Sequence, residues 1–77
     1  MTKLIPIKPE KLEKLIFSLG FTPLRQKGSH VFYKHLDGRY TTIPFHGAKE
    51  IKPNLLQRIL KEISLDREEY VRLIGKK

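Results

Sequence analysis

The chain of 77 residues contains no cysteine, so it has no disulfide, no thiolate-bound metal and no cysteine nucleophile. This absence fits a cytosolic protein, and we predict a cytoplasmic location. No apolar run approaches the roughly 18 residues that a membrane-spanning helix needs, and the N-terminus lacks the extended apolar segment of a signal peptide. From the length we expect one domain over residues 1–77, without membrane association.

Acidic residues are scarce. Eight Asp and Glu stand against sixteen Lys and Arg, which gives a formal net charge of +8. Such an excess favours a polyanionic partner, although a basic protein without such a partner has the same composition. Residues 21–53 carry six Lys or Arg, two Asp or Glu and all three histidines, so half of the net charge (+4) lies in this central segment.

Three amphipathic helices are predicted. The first begins near Pro9, where the missing N–H costs nothing, and ends at Gly20. The second begins at Pro53, and the short third helix follows a capping pair, Asp66 and Glu69. Their apolar faces combine residues three and four positions apart: Leu12, Leu15, Ile16 and Leu19; Leu55, Leu56, Ile59, Leu60 and Ile63; Tyr70 and Leu73 with Val71 or Ile74.

Three strands are predicted between the first two helices, over residues 21–25, 31–35 and 40–43. Pro23 limits the first to an edge or a bulged position, and Asp37-Gly38 predicts a hairpin between the other two. The element order predicts an α+β two-layer sandwich, α-β-β-β-α with a short C-terminal helix, like a double-stranded-RNA-binding domain. One sheet face is then free, but this topology alone specifies no function.

Alternation along the second strand separates two sets of side chains: His30, Phe32 and Lys34 on one face, and Val31, Tyr33 and His35 on the other. Because both sets mix apolar and polar residues, the pattern does not decide which is buried. The aromatic residues of this region can stack on bases or belong to the core. Small domains usually use them in the core, and we leave open that one lies exposed.

The segment from Arg25 to His30 concentrates groups that act on phosphates. Arg25 and Lys27 can neutralise developing charge, Gly28 lets the backbone come close to a phosphate, and Ser29 can bond to a phosphate or cap the turn. His30 can act as a general base, because imidazoles change charge near neutral pH. We interpret this segment as a small RNA-cutting site. RNA carries its own nucleophile, the 2′-hydroxyl, so its cleavage does not require a metal ion. The alternative is a polar strand-end histidine without a catalytic role.

Other polar residues have less specific roles. Lys34, Arg39 and Lys49 can follow an RNA backbone on either side of the segment. His46 can be a phosphate contact, a structural group or a second acid or base, and we favour contact or structure. His35 is expected to be structural or solvated. The three histidines are five and eleven residues apart, which matches no compact metal motif, so we predict no metal or other cofactor.

Several short segments, taken together in their order and spacing, resemble HicA-type toxins, the small ribonucleases of HicA–HicB toxin–antitoxin modules. The segments are Gly20-Phe21, residues 25–30, Asp37-Gly38-Arg39, Pro44-Phe45-His46, Lys49-Glu50-Ile51 and residues 56–61. The resemblance extends over residues 11–70. Pro53-Asn54 stands where the family often has Gly-Thr, and both pairs suit the start of a helix.

This resemblance implies the fold of a double-stranded-RNA-binding domain and cleavage of messenger RNA by a single catalytic histidine, which maps to His30. It also implies a HicB-type antitoxin, encoded by the adjacent gene, that covers the active face. We therefore predict a metal-independent ribonuclease toxin. Its expected RNA-binding residues are Arg25, Lys27, Gly28, Ser29, Lys34, Arg39, His46 and Lys49.

Two other functions fit the same residues. A non-catalytic module for double-stranded RNA would bind by shape, through phosphates and 2′-hydroxyls, and would not need a histidine at position 30. A protein-interaction domain would use its basic face only for an acidic partner, and would show no RNA affinity once that partner is removed.

Overall fold

The computed structural model describes residues 4–45, 47 and 49–75, and it has the predicted order of elements. The helices are α1 (Pro9–Ser18), α2 (Pro53–Glu62) and α3 (Arg67–Gly75), and the strands are β1 (Phe21–Lys27), β2 (His30–His35) and β3 (Tyr40–Pro44). The strands form one antiparallel sheet in the order β1-β2-β3. The α+β architecture of a double-stranded-RNA-binding domain is therefore confirmed.

The helix ends follow the local signals in the sequence. Lys8 precedes Pro9 as the N-cap of α1, and the chain leaves this helix through Gly20 with φ of +100°. A Cβ atom at Gly20 would lie only 2.8 Å from Nε2 of His35, so both the backbone conformation and the available space require glycine. At the start of α3, the Glu69 N–H donates to Oδ1 of Asp66 at 2.8 Å, which confirms the capping role of Asp66.

The helices cover one side of the sheet, and the core lies between the two layers. Most residues of the predicted apolar faces are buried there, whereas Val71 is exposed and four others are half-buried: Leu19, Leu55, Leu73 and Ile74. An N-terminal segment adds to this core by pairing Ile7 with Ile51, through backbone bonds of 3.1 and 2.7 Å. The buried apolar residues are Leu4, Ile7, Leu12, Leu15, Ile16, Phe21, Tyr33, Ile43, Ile51, Leu56, Ile59, Leu60, Ile63 and Tyr70.

The structure answers which side of β2 is buried. Tyr33 is fully buried, and its neighbours across the sheet on β3, Thr41 and Ile43, are buried as well. The Tyr33 hydroxyl donates to Oε2 of Glu13 on α1 at 2.6 Å. Burial, and then this bond, raises the pKa of Tyr33 well above its ordinary value. The opposite side of β2, which carries His30, Phe32 and Lys34, therefore faces away from the helices.

Hydrogen bonds connect the sheet to α1 and α2. Thr41 donates its hydroxyl to Oε1 of Glu62 at 2.8 Å, as Tyr33 does to Glu13. Among the described residues, every buried side-chain nitrogen or oxygen has a hydrogen-bond partner. Within the same part of the chain, no helix is long and apolar enough to cross a lipid bilayer.

Candidate functional site

The uncovered side of the sheet brings together four of the predicted site residues, Arg25, Lys27, His30 and Lys34. We call this side the open face. It is formed by Thr22, Arg25, Lys27, His30, Phe32, Lys34, Tyr40 and Thr42, as the register of the three strands shows. Side chains that stand directly opposite each other on paired strands point to the same side of a sheet, so the register alone places these residues together.

A bulge in β1 puts two of the cations on the open face. Thr22 pairs with Lys34, but after Pro23 the register shifts, and Arg25 pairs with Phe32. Simple alternation from Thr22 would have turned Arg25 and Lys27 towards the helices. The extra residue, Leu24, shifts the alternation by one position, so that Arg25 and Lys27 point to the open face. Bulges commonly redirect side chains in this way. The predicted edge or bulged position of Pro23 is confirmed, since β1 is both an edge strand and bulged.

Lys27 and His30 stand opposite each other at the end of the β1–β2 hairpin, and both are exposed. The two residues between them form the turn, with Gly28 at φ of +60°. A glycine with positive φ at the first of two turn positions is typical of a type II′ hairpin. Gln26 steadies the turn by donating its amide Nε2–H to the Gly28 carbonyl at 3.0 Å. The turn therefore places Lys27 directly across the hairpin from His30.

The hairpin end also holds the segment that follows β3. His30 pairs with Pro44, and the Phe45 N–H donates to the Ser29 carbonyl at 2.6 Å. The structure thus brings the two predicted motifs, 25–30 and Pro44-Phe45, side by side. The predicted contact residue His46 lies outside the described residues. Lys49 is exposed in the connection between β3 and α2.

The open face is strongly cationic because the strands contain no acidic residue. Arg25, Lys27 and Lys34 are exposed on it, and no Asp or Glu occurs within β1, β2 or β3. The acidic group closest in sequence is Asp37, in the β2–β3 turn. Hydrogen bonds from the Arg39 backbone N–H and then from its guanidinium lower the pKa of Asp37. The face therefore attracts an anion without an internal carboxylate to compete for its cations.

Aromatic rings lie between these cations. The Phe32 and Tyr40 rings are nearly parallel, at 18°, with their centroids 6.2 Å apart. The Arg25 guanidinium lies over the Phe32 ring, with its carbon 5.1 Å from the ring centroid. Tyr40 is 48% exposed. The three side chains form a row across all three strands, which we call the aromatic row.

Two polar residues of the central segment, Arg39 and His35, make structural contacts away from the open face. Arg39, predicted to contact RNA, donates to Oδ2 of Asp37 at 2.9 Å and to the Ile63 carbonyl at the end of α2, and its guanidinium covers the Phe21 ring at 5.2 Å. Arg39 therefore links the β2–β3 turn to α2 and stands apart from the open face. His35 contacts the Leu19 carbonyl at 3.1 Å through Nε2, in line with its predicted structural role.

The aromatic row cannot be assigned from the amino-acid sequence alone. Phe32 and Tyr40 were candidates for both core and surface, because their alternation with polar residues fits either side of the sheet. The bulge at Leu24, which places Arg25 over Phe32, was signalled only by Pro23. Among the described residues, no three His, Cys, Asp or Glu side chains gather as they do around a metal ion.

Comparison with known proteins identifies the family. A family model described as the HicA toxin of bacterial toxin–antitoxin matches residues 9–65, a range that runs from the start of α1 to just beyond α2 and includes the whole open face. No match was found among curated proteins. Because the family model covers most of the chain, and the fold agrees with the layout expected for it, the chain belongs to the HicA family of toxins from bacterial toxin–antitoxin modules.

Proposed function

We propose that the chain is a metal-independent endoribonuclease that cuts messenger RNA on its open face, with His30 as the catalytic residue. The observation that carries the proposal is the Lys27–His30 pair at the hairpin end. It places a group that can accept a proton opposite a cation, on a surface whose strands contain no acidic residue. A phosphate held there has a base and a positive charge within reach of the same atoms.

The chemistry follows from these two groups. His30 removes the proton of a ribose 2′-hydroxyl, and the oxygen attacks the adjacent phosphorus. The bond from phosphorus to the 5′-oxygen of the next nucleotide breaks, giving a 2′,3′-cyclic phosphate and, once the leaving oxygen gains a proton, a 5′-hydroxyl. Lys27 and Arg25 stabilise the negative charge that grows on the phosphate oxygens. The proton that His30 accepts returns to water, and water supplies the proton that the leaving oxygen gains, so the step balances without a metal ion.

The partner of the toxin acts on the same surface in this proposal. A HicB-type antitoxin covers the open face and so blocks access of RNA to His30. The exposed cations Arg25, Lys27 and Lys34 favour an acidic contact surface on the antitoxin. RNA and antitoxin then compete, and binding of one excludes the other.

Expression in bacterial cells tests this function. The chain should arrest growth and degrade messenger RNA, the His30→Ala variant should do neither while remaining folded, and co-expression of the antitoxin encoded beside it should restore growth. If wild type and variant behave alike, the ribonuclease proposal fails. The non-catalytic module for double-stranded RNA then becomes the better account.

The salt dependence of RNA binding should report the cations of the open face. Each phosphate contact to a single strand contributes about −0.7 to the slope of log K against log salt. Three contacts, from Arg25, Lys27 and Lys34, therefore predict a slope of about −2, so a fourfold rise in salt weakens binding about 18-fold.

Fluorescence anisotropy titrations with the His30→Ala variant measure this slope without cleavage. Adding Lys34→Ala should make the slope shallower by about 0.7. Lys61→Ala, which removes an exposed cation of α2 on the helical layer, is the matched control and should leave the slope unchanged. A slope near zero, or equal effects of the two substitutions, would contradict the assignment of RNA to the open face.

A further inference from the structure

We infer that the aromatic row makes the open face selective for unpaired RNA, with the Tyr40 ring as a stacking platform for a base near the cleaved phosphate. The inference rests on the proposed function, since it names the form of RNA that this site accepts. It adds Tyr40 and Phe32, to which that proposal gives no role.

The exposure of Tyr40 is the first observation. The chain has three tyrosines, and the other two are core residues, Tyr33 with 0% and Tyr70 with 3% of their surface exposed. Tyr40 is 48% exposed, although it lies in the sheet. Since burial of an aromatic ring is favourable, an accessible ring on a cationic face is free to bury its surface against a ligand.

The second observation is that neighbouring side chains hold the Tyr40 ring in place. Tyr40 stacks on Phe32, and Phe32 in turn lies under the Arg25 guanidinium. These contacts restrict the orientation of the rings before any ligand binds. A base that stacks on Tyr40 therefore meets a surface that is already ordered, which lowers the entropy cost of binding.

The placement of the row relative to His30 is the third observation. Phe32 is two residues from His30 on the same side of β2, and Tyr40 stands opposite Lys34, two residues further. At 3.3–3.4 Å per residue, Tyr40 lies about 13 Å along the sheet from the level of His30. Lys27 is at the His30 end and Lys34 at the Tyr40 end. A few unpaired nucleotides can thus contact Lys27 at one end, and Lys34 and the Tyr40 ring at the other.

Only an unpaired strand can use this surface fully. In a duplex the bases stack on one another, so a protein meets phosphates and 2′-hydroxyls, and recognition is mostly by shape. Proteins that bind single strands combine a cationic track with aromatic side chains that stack on successive bases. The open face has both features, which favours unpaired RNA over the duplex that a non-catalytic module for double-stranded RNA would bind.

Binding measurements in the His30→Ala background test the inference, because this variant keeps the RNA intact. The probes are a short unstructured RNA and the same strand annealed to its complement, both at one salt concentration. Loss of one base–aromatic stack corresponds to about 5- to 150-fold in affinity. Tyr40→Ala should weaken binding of the unpaired RNA by that factor and change duplex binding less than about twofold.

Further variants separate the ring from its other properties. Tyr40→Phe keeps the ring and should bind unpaired RNA as the parent does, whereas Tyr40→Leu keeps apolar bulk without a flat ring and should be weak. Phe17→Ala is the matched aromatic control, because Phe17 is 42% exposed on α1, in the helical layer. Phe17→Ala should leave RNA affinity unchanged. Circular dichroism verifies that each variant is folded.

Three results would overturn the inference: unchanged affinity for unpaired RNA in Tyr40→Ala, equal losses for unpaired RNA and duplex, or a loss in Tyr40→Phe as large as that in Tyr40→Ala. If Tyr40→Ala weakens only antitoxin binding, the row is a protein contact and the inference is also wrong. Cleavage by the parent chain is measured separately. If the parent chain does not cleave RNA but Tyr40→Ala still weakens binding of unpaired RNA, the ribonuclease proposal is rejected. The stacking role of Tyr40 then stands.

Discussion

His30→Ala should slow RNA cleavage by about 10²- to 10⁴-fold, the usual contribution of one general acid–base group. The side chain lies on the open face opposite Lys27, so its loss removes the base and leaves the cations. RNA affinity should therefore change little, and the effect should appear in kcat rather than in KM. Single-turnover cleavage of an unpaired RNA, with binding measured on the same preparations, separates the two quantities.

A second histidine on the same strand provides the control. His35 points to the helical side, where Nε2 contacts the Leu19 carbonyl. His35→Ala should lower the free energy of unfolding by about 1 kcal/mol through loss of this hydrogen bond, and should leave kcat near that of wild type. Equal kinetic losses in the two variants would indicate a general effect on the fold and would contradict a specific role for His30.

The pH dependence of cleavage provides a further check. An imidazole can accept a proton only in its neutral form, and imidazoles change charge in the range from pH 5 to 8. The rate of wild type should therefore fall as the pH is lowered towards 5. Binding must be saturating at each pH, so that the fall reflects the chemical step. An unchanged rate at pH 5 would argue for another base.

Tyr33→Ala should destabilise the protein by about 3–5 kcal/mol, the range for truncation of a large buried aromatic residue. Tyr33 is fully buried in the central strand, its ring packs edge to face with that of Phe17 at 5.8 Å between centroids, and its hydroxyl donates to Glu13. Small proteins are stable by only about 5–15 kcal/mol. The variant should thus be largely unfolded at moderate urea concentrations, and should lose activity with its fold.

Tyr33→Phe is the matched variant, because it keeps the ring and removes only the hydroxyl. Glu13 is half-exposed and can turn to water, so the expected cost is about 1.5 kcal/mol, the lower end for a hydrogen bond to a charged group. Urea unfolding followed by circular dichroism measures both variants. A cost for Tyr33→Ala no larger than that for Tyr33→Phe would mean that the ring contributes little to the core.

Alkaline pH should also lower the stability through Tyr33, mainly because its side chain is buried. Burial and the bond to Glu13 raise the pKa of Tyr33, so above pH 10 the tyrosine ionises in the unfolded chain before it does so in the folded one. Ionisation then stabilises the unfolded state more than the folded one, so the free energy of unfolding falls as the pH rises. Tyr33→Phe should show a smaller fall, with part of it retained because burial also raises the pKa of Tyr70.

Much of the fold can be predicted from the sequence because its signals are local. Pro9 and Pro53 begin helices, Gly20 ends one, and Asp37-Gly38 forms a hairpin turn, and each acts through the backbone of its own few residues. The buried side of β2 cannot be predicted in this way. His35 and Tyr33 are on that side together, and what makes a polar side chain acceptable there is a partner distant in sequence, Leu19 or Glu13.

The candidate site was predicted in part for the same reason. The turn from Lys27 to His30 is local, so its residues could be grouped from the sequence. Arg39 was grouped with them by proximity in the chain, but its contacts with Ile63 and Phe21 depend on how α2 packs. The aromatic row depends on the sheet register and on the bulge after Pro23, neither of which the alternation of residue types specifies.

The most direct test of the central claim is analysis of the RNA ends made by the purified chain in the presence of a metal chelator, beside the His30→Ala variant. The proposed mechanism predicts that wild type cuts an unpaired RNA to leave 2′,3′-cyclic phosphate and 5′-hydroxyl ends, and that the variant cuts it about 10²- to 10⁴-fold more slowly. Ends with a 3′-hydroxyl and a 5′-phosphate, or equal cleavage by the two proteins, would contradict it.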